Sequence, residues 1–162
     1  MYIKIDQPSA ETEHKILKLV RAEEMGTKEQ DESWKEFSKT VGKLEIEDIL
    51  KARRDVLSIH MSEQLEEYLV QLIIATRKPE KYDSGLKNNI LYGASPRATI
   101  ALTLAAKAHA FLEGRGYVVP QDIKDIAPDV LRHRIIVTYE AEAEGISSED
   151  IVAKVLNKVA VP

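Results

Sequence analysis

Cysteine is absent from the 162 residues, and aromatic side chains make up only 6% of them. The chain therefore has no disulfide, no thiolate-bound zinc and no thiol nucleophile. Long hydrophobic runs are also missing: the stretch at residues 100–106 is interrupted by Thr103 and is far shorter than the ~20 residues that a membrane span needs. The beginning, MYIKIDQPSAE, does not read as a secretory signal. We therefore expect a cytoplasmic protein with no membrane partner.

The chain also lacks an excess of basic residues. It has 23 Lys and Arg against 27 Asp and Glu, which gives a net charge of −4. Proteins that coat nucleic acid normally carry a basic excess, so the charge speaks against nucleic acid as a partner. Apolar residues make up 44% of the chain, and charged residues lie between them rather than in blocks. With this composition, a length of 162 residues predicts one or two folded domains, since a typical domain has roughly 100–150 residues.

Helical patterns dominate the sequence after a short beginning. Residues 2–6 alternate as in a β-strand, and Pro8 ends that pattern. Apolar residues at helical spacing, with capping residues before them, then predict a mainly α-helical bundle with minor β pieces. We expect helices that begin at Ser9, Glu45, Ser62, Ser95, Pro120 and Ser147. Residues 80–93 read as a loop, and Pro128 is expected to break the helix that begins at Pro120.

Two further segments are polar. Residues 23–43 are poorly patterned and contain Trp34 and Phe37, and we interpret them as a mobile connection with one helical turn. Glu140, Glu142 and Glu144 alternate with small residues and favour a solvated stretch over a pair of catalytic acids.

Arg97 is the most informative residue for function. Ser95 in a capping position and Pro96 at the first helical position mark a helix start, and Arg97 follows at the second position. A cation there opposes the helix dipole by roughly 0.3–1 kcal/mol. Free N–H groups at a helix start attract anions, and an arginine adds a forked donor suited to phosphate. Two interpretations stay open, an anion site and a surface arginine in water.

The residues around Arg97 favour neither interpretation strongly. Residues 93–134 carry six basic and four acidic side chains. This local excess of positive charge fits a phosphate-facing surface, although a solvated face is the more ordinary explanation. The four histidines lack metal-ligand spacing, and Tyr92 and Tyr117 are candidates either to line a pocket or to pack. No phosphate loop, G-x-S-x-G or G-x-G-x-x-G motif is present.

A string of residues around Arg97 nevertheless resembles a known family. Residues 93–98 read GASPRA, which is similar to the sensor-two motif of MoxR-type AAA+ ATPases. The similarity continues through residues 115–118 (RGYV), Pro120 with Asp122, and residues 130–134 (VLRHR). It also includes the ATR ending at residues 75–77 and the tail at residues 139–145. Val119 stands where the family more usually has a capping Ser or Thr, which predicts a weaker start for the Pro120 helix.

The resemblance implies a fold, a function and partners. Residues 1–8 would be the last strand of an AAA+ core, and residues 9–162 the C-terminal helical lid with a polar connection at about 23–43. Arg97 would be the catalytic residue, since its counterpart reaches the γ-phosphate of ATP and couples nucleotide state to the lid angle. Ser95, Pro96 and Ala98, with Arg97, would be the cofactor-binding residues for ATP with Mg²⁺, and no metal ligand is expected in the lid.

The partners implied are the core domain of the same chain, neighbouring subunits of a hexameric ring and an unidentified client protein of a chaperone-like motor. The fragment alone should not hydrolyse ATP, because the phosphate loop and Walker B acids would belong to the core.

One alternative is a free-standing helical module that docks a partner through Trp34 and Phe37 or through its last helix. A DNA-binding helical domain ranks third because of the acidic charge.

Overall fold

The computed structural model describes residues 1–5, 7–24 and 44–162, and for residues 22–24 it describes the backbone alone. The chain divides into two compact units. One comprises residues 4–49, and the other comprises residues 1–3 and 50–162. The prediction that residues 9–162 act as one lid domain stays a prediction.

Helix α1 (Ala10–Glu24) lies in the smaller unit and confirms the predicted start at Ser9. The Ser9 hydroxyl accepts a hydrogen bond from the Thr12 N–H at 3.3 Å, and Glu11 and Glu13 occupy the first turn, where the dipole favours acids. The apolar side of α1 is about half exposed at Ile16, Leu17, Leu19 and Val20. Residues 25–43, with Trp34 and Phe37, lie outside the described residues, so the expected connection there stays a prediction.

Helix α2 (Ile46–Ser58) begins in the smaller unit and ends in the larger one. It agrees with the predicted helix, yet Ile46, Ile49 and Leu50 are exposed. Helix α3 (Glu63–Arg77) follows, with the Ser62 hydroxyl accepting the Leu65 N–H at 3.3 Å. One side of α3 is buried through Leu65, Leu69, Leu72 and Ile73, as the helical spacing predicts.

The predicted loop at residues 80–93 contains short regular elements. A 3₁₀ turn (Pro79–Lys81) leads to α4 (Ser84–Lys87) and β1 (Ile90–Tyr92). Strand β1 pairs antiparallel with β2 (Ile136–Val137), and Ile90 lies opposite Val137. The pairing is long-range and only a few residues long, which is why neither strand shows a usable local pattern.

Helices α5 (Pro96–Leu112) and α6 (Pro120–Leu131) pack against each other in the larger unit. The expectation that Pro128 breaks α6 is wrong, because the helix continues through it to Leu131. A proline removes one backbone donor, but Ile123, Ala127, Val130 and Leu131 are all buried around it. Burial of one continuous apolar face therefore outweighs the lost hydrogen bond.

The last two helices complete the core. Helix α7 (Tyr139–Ala143) begins after Thr138, and α8 (Ser148–Lys158) begins at the predicted Ser147 with a capping box. The Ser147 N–H donates to the Asp150 carboxylate at 2.8 Å, and the Asp150 N–H donates to the Ser147 hydroxyl at 3.2 Å. The core joins residues from α3, α5, α6 and α8, whose most buried members are Leu69, Leu72, Ile73, Leu102, Ile123, Leu131, Ile151, Val152 and Val155.

The expected N-terminal strand is not formed by residues 1–5, and Asp6 lies outside the described residues. Met1, Ile3 and Ile5 are exposed. The Tyr2 N–H instead donates to the Asp129 carbonyl of α6 at 2.8 Å. An isolated strand cannot satisfy its own backbone groups, and no described strand lies beside this segment to pair with it. Among the described residues, no helix has both the length and the apolarity needed to cross a membrane.

Candidate functional site

Arg97 lies where the sequence predicts, at the second residue of α5, with its side chain exposed. No carboxylate in the described part of the chain forms an ion pair with it. The first turn of α5 contains no acidic residue, so the positive end of the helix dipole and the guanidinium add together. This end of α5 is therefore suited to an anion.

Pro96 occupies the first helical position as predicted, but the expected side-chain cap from Ser95 is wrong. Ser95 has the extended backbone of a capping residue (φ −76°, ψ 168°), yet its hydroxyl makes no capping hydrogen bond. The Ser95 carbonyl accepts the Ala98 N–H at 2.8 Å instead. The exposed hydroxyl of Ser95 thus takes no part in fixing the helix start.

Ala98 points into the core, where it has no exposed surface. Thr99 is half-buried. Ala98 therefore offers no exposed surface to a ligand in this structure, whereas Ser95 and Arg97 are exposed.

The segment before α5 is attached to the end of α3. The Ala94 N–H donates to the Thr76 hydroxyl at 2.9 Å, and Arg77 Nε donates to the Ala94 carbonyl at 2.6 Å. Gly93 lies so close to α3 that a Cβ added there would be 2.2 Å from the Thr76 carbonyl oxygen. Two segments that the resemblance quoted separately, residues 75–77 and 93–98, are therefore joined in the structure.

The hypothesis of a wider phosphate-facing surface loses two of its six cations. Arg115 Nη1 donates to Asp122 Oδ2 at 2.8 Å. Arg132 pairs with Asp129 at 2.7 Å and with Glu149 of α8 at 3.1 Å. These arginines are bound to acids of the same chain and are largely buried, so they fit neither a phosphate-facing surface nor a solvated face.

Asp122 is the centre of a buried polar cluster that sequence reasoning missed. Its carboxylate accepts hydrogen bonds from Arg115, from the Val119 N–H at 2.8 Å and from His109 Nδ1 at 2.8 Å. Burial by itself raises the pKa of Asp122, but these donors outweigh it and lower the pKa to about 2. The signal that could have found this cluster is Asp122 itself, an acid at the third position of a helix whose cap residue has no polar side chain.

The Asp122 cluster also shows why the weaker helix start expected from Val119 is wrong. The valine cannot cap α6 with its own side chain, but the Asp122 carboxylate binds the Val119 N–H. Since Arg115 and His109 hold the same carboxylate, the start of α6 is firmly fixed rather than weak.

The remaining candidates do not form a site. The described residues contain no group of three His, Asp or Glu side chains that could hold a metal ion. Glu140, Glu142 and Glu144 are exposed, as expected for a solvated stretch. Tyr92 and Tyr117 are 64% and 55% exposed, so neither packs into the core.

Comparisons with known proteins match the part of the chain that contains Arg97 and Asp122. Residues 86–155 match the family model described as the AAA lid domain. Chaperone MoxR1 of Mycobacterium tuberculosis is 40% identical over 116 residues, which cover 71% of this chain and 31% of the relative. Protein MoxR of Methylorubrum extorquens is 39% identical over 72 residues, which cover 43% of this chain and 21% of that protein.

A solved structure is similar as well. The chain superimposes on a crystal structure of a Cytophaga hutchinsonii protein, provisionally named an ATPase, with a TM-score of 0.70 and 48% identity. The match covers 72% of this chain and 36% of that one. The chain thus spans about a third of the length of this structure and of MoxR1.

The mainly helical fold and the matched family define a AAA lid domain at residues 86–155. That stretch contains α5 with Arg97, the Asp122 cluster and both strands. Two of the relatives are named MoxR, so the resemblance of this chain to the lid of MoxR-type AAA+ ATPases is confirmed.

Proposed function

We propose that this chain is the lid of a MoxR-like AAA+ ATPase and that Arg97 binds the γ-phosphate of ATP held by an upstream core domain. The parent reaction is ATP + H₂O to ADP + phosphate. Arg97 is the sensor-two arginine in this proposal: it stabilises charge on the transferred phosphoryl group and links the presence of that group to the position of the lid.

The observation that carries the proposal is the availability of Arg97. The side chain is exposed at a helix start without an acid in the first turn. By contrast, Arg115 and Arg132 are each neutralised by carboxylates of the described residues. A cation that opposes its own helix dipole and has no acid beside it costs free energy locally, and a phosphate would offset that cost.

The residues present fit part of an ATP site. Arg97 supplies one forked donor for phosphate oxygens, Ser95 and Pro96 directly precede it at the helix start, and Ala98 anchors the helix in the core. No acidic cluster among the described residues fits Mg²⁺, and in this proposal the core binds the metal and most of the nucleotide. The lid alone is therefore expected not to hydrolyse ATP.

The larger assembly follows from the same proposal. The core of the same chain and neighbouring subunits of a hexameric ring would be the partners, with a client protein handled by a chaperone-like motor in the cytoplasm. The name of MoxR1, a chaperone, supports that role. We propose no nucleic-acid or membrane partner.

The free-standing interaction module is less well supported. Its docking segment was expected at Trp34 and Phe37 or in the last helix. Ile151, Val152 and Val155 of α8 are buried in the core, so that helix has no free apolar face at these positions. Trp34 and Phe37 lie outside the described residues. A reading frame upstream that encodes a phosphate-loop domain would favour the lid, and its absence would favour the module.

The test uses the full-length protein, in which the native core precedes this lid. We expect Arg97→Ala to lower kcat for ATP hydrolysis by at least about 100-fold, as for loss of one preorganised charge-stabilising donor. Arg97→Lys should retain part of the rate, since it keeps the charge and loses the fork. Steady-state phosphate release measures both variants.

Arg54→Ala is the matched control, since Arg54 is an exposed arginine within α2. It should leave kcat within about twofold of the original value, because substitutions of exposed residues away from the core and from the proposed phosphate contact have small effects. Unchanged hydrolysis and unchanged nucleotide-dependent assembly in Arg97→Ala would show that the assigned role is wrong.

A further inference from the structure

The end of α3 holds the residue that leads into α5. Ala94 is completely buried, and both of its backbone polar groups are bound by neighbouring residues of α3. Its N–H donates to the Thr76 hydroxyl at 2.9 Å, and its carbonyl accepts from Arg77 Nε at 2.6 Å. Since buried backbone groups are costly when unpaired, this segment has a strong preference for one position.

Thr76 is itself fixed in place. It is completely buried, and its hydroxyl donates to the Ile73 carbonyl at 2.7 Å while it accepts the Ala94 N–H. The adjoining Gly93 leaves no room for a side chain, because a Cβ would be 2.2 Å from the Thr76 carbonyl oxygen. The backbone of residues 93–94 therefore lies directly against the last turn of α3.

The start of α5 depends on this contact more than on its own cap. The Ser95 hydroxyl makes no capping hydrogen bond, so local capping does not fix the helix start. Only Ser95 and Pro96 separate Ala94 from Arg97, and the proline ring restricts φ. A displacement of Ala94 is thus transmitted over a short, stiff segment to Arg97.

We propose that Thr76 and Arg77 are positioning residues for Arg97, holding the entry to α5 so that the guanidinium meets the phosphate. This inference rests on the proposed function of Arg97. Thr76 is buried and acts through its hydroxyl, which accepts the Ala94 N–H, and Arg77 acts through the hydrogen bond from its Nε to the Ala94 carbonyl. Neither residue needs to touch the nucleotide.

Thr76→Val in the full-length protein is the main test. Valine keeps the shape of threonine but removes the hydroxyl, which leaves the Ala94 N–H buried without a partner. We expect kcat for ATP hydrolysis to fall about 10- to 100-fold, since a misplacement of about 1 Å can cost 10²-fold. KM for ATP should change much less, and Thr76→Ser should restore most of the rate.

A double-mutant cycle separates positioning from a general loss of stability. If Thr76 acts through Arg97, Thr76→Val should cause no further fall in kcat when Arg97 is already alanine. Arg77→Gln provides a second variant on an exposed side chain, so the inference stays testable if Thr76→Val fails to fold. It should lower kcat in the same direction and be silent in the Arg97→Ala background.

Thr103→Val is the matched control. The Thr103 hydroxyl donates to the Thr99 carbonyl of the same helix at 2.9 Å, so the substitution removes a similar bond on α5 without touching the contact with α3. It should leave kcat within about twofold. Far-ultraviolet circular dichroism should show that each variant used is folded.

The outcomes distinguish this inference from the proposed function. If Arg97→Ala lowers kcat while Thr76→Val and Arg77→Gln do not, the positioning role is wrong and the function of Arg97 stands. An equal fall of kcat for Thr76→Val with and without Arg97 would also overturn it, because the effect would not pass through Arg97. If Arg97→Ala itself has no effect, the proposed function fails.

Discussion

Asp122 shows at the scale of a single residue how a buried charge is made stable. Only 1% of it is exposed, and a lone carboxylate there would favour protonation. Arg115, His109 and the Val119 N–H supply donors that keep it ionised and lower its pKa to about 2. The carboxylate thereby joins the end of α5 to the beginning of α6.

The lowered pKa of Asp122 predicts a loss of stability in acid. The folded pKa lies below the ordinary value of 3.8, so ionised Asp122 stabilises the fold above about pH 4, and this contribution is lost as the pH falls toward 2. A shift of this size corresponds to about 2 kcal/mol of the free energy of unfolding. Urea titrations of this chain between pH 7 and pH 2 measure it.

Replacing Asp122 by Asn removes the titrating group. We expect Asp122→Asn to lower the free energy of unfolding at pH 7 by about 2–4 kcal/mol, since the donors of Arg115 lose their charged partner. The variant should also show a smaller decrease of stability between pH 5 and pH 2 than the original chain. Asp125→Asn, an exposed acid on the same helix, should change stability by less than about 0.5 kcal/mol. Equal pH profiles for Asp122→Asn and the original chain would contradict the assignment.

At the scale of secondary-structure elements, two serines at helix starts differ in their structural roles. Ser95 and Ser147 each precede a helix and look alike in the sequence. Ser147 accepts the Asp150 N–H and belongs to a capping box, whereas the Ser95 hydroxyl makes no such bond. The structural difference is that α3 holds the segment before α5 through Ala94.

These two starts predict different effects of the same substitution. Ser147→Ala should lower the free energy of unfolding by about 1 kcal/mol, as is typical for loss of a side-chain cap. Ser95→Ala should cost less than about 0.5 kcal/mol. Thermal and urea unfolding of the two variants compare them directly. If Ser95→Ala is as destabilising as Ser147→Ala, the helix start of α5 depends on a side-chain cap after all.

Helix positions could be predicted from the sequence where the signal is local. The helix starts predicted from Ser62, Pro96 and Ser147 lie within one residue of the starts in the structure. The continuation of α6 through Pro128 could not be predicted from the sequence, since it depends on burial against other helices. The β1–β2 pair likewise depends on a partner more than 40 residues away.

The site could be predicted only in part for the same reason. Arg97 stands out because it breaks a local rule at a well-marked helix start. Thr76 could not be connected with Ala94, because 18 residues separate them in the chain. The pairing of Arg115 with Asp122 was likewise hidden, since the sequence showed the two residues only as charges and as separate parts of the family resemblance.

At the scale of the whole molecule, the described residues form two compact units. The matched lid domain, residues 86–155, lies within the larger unit. In the smaller unit, α1 leaves an apolar side about half exposed. Together with relatives of which the match covers only about a third, these features agree with a chain that works as part of a larger protein, as we propose.

The central claim is that Arg97 contacts the γ-phosphate of ATP in the parent protein. A structure of the full-length protein with Mg²⁺ and a non-hydrolysable ATP analogue tests it most directly. We predict that an Arg97 guanidinium nitrogen lies about 2.7–3.2 Å from a γ-phosphate oxygen. An Arg97 side chain in solvent, with a different cation on that phosphate, would contradict the account.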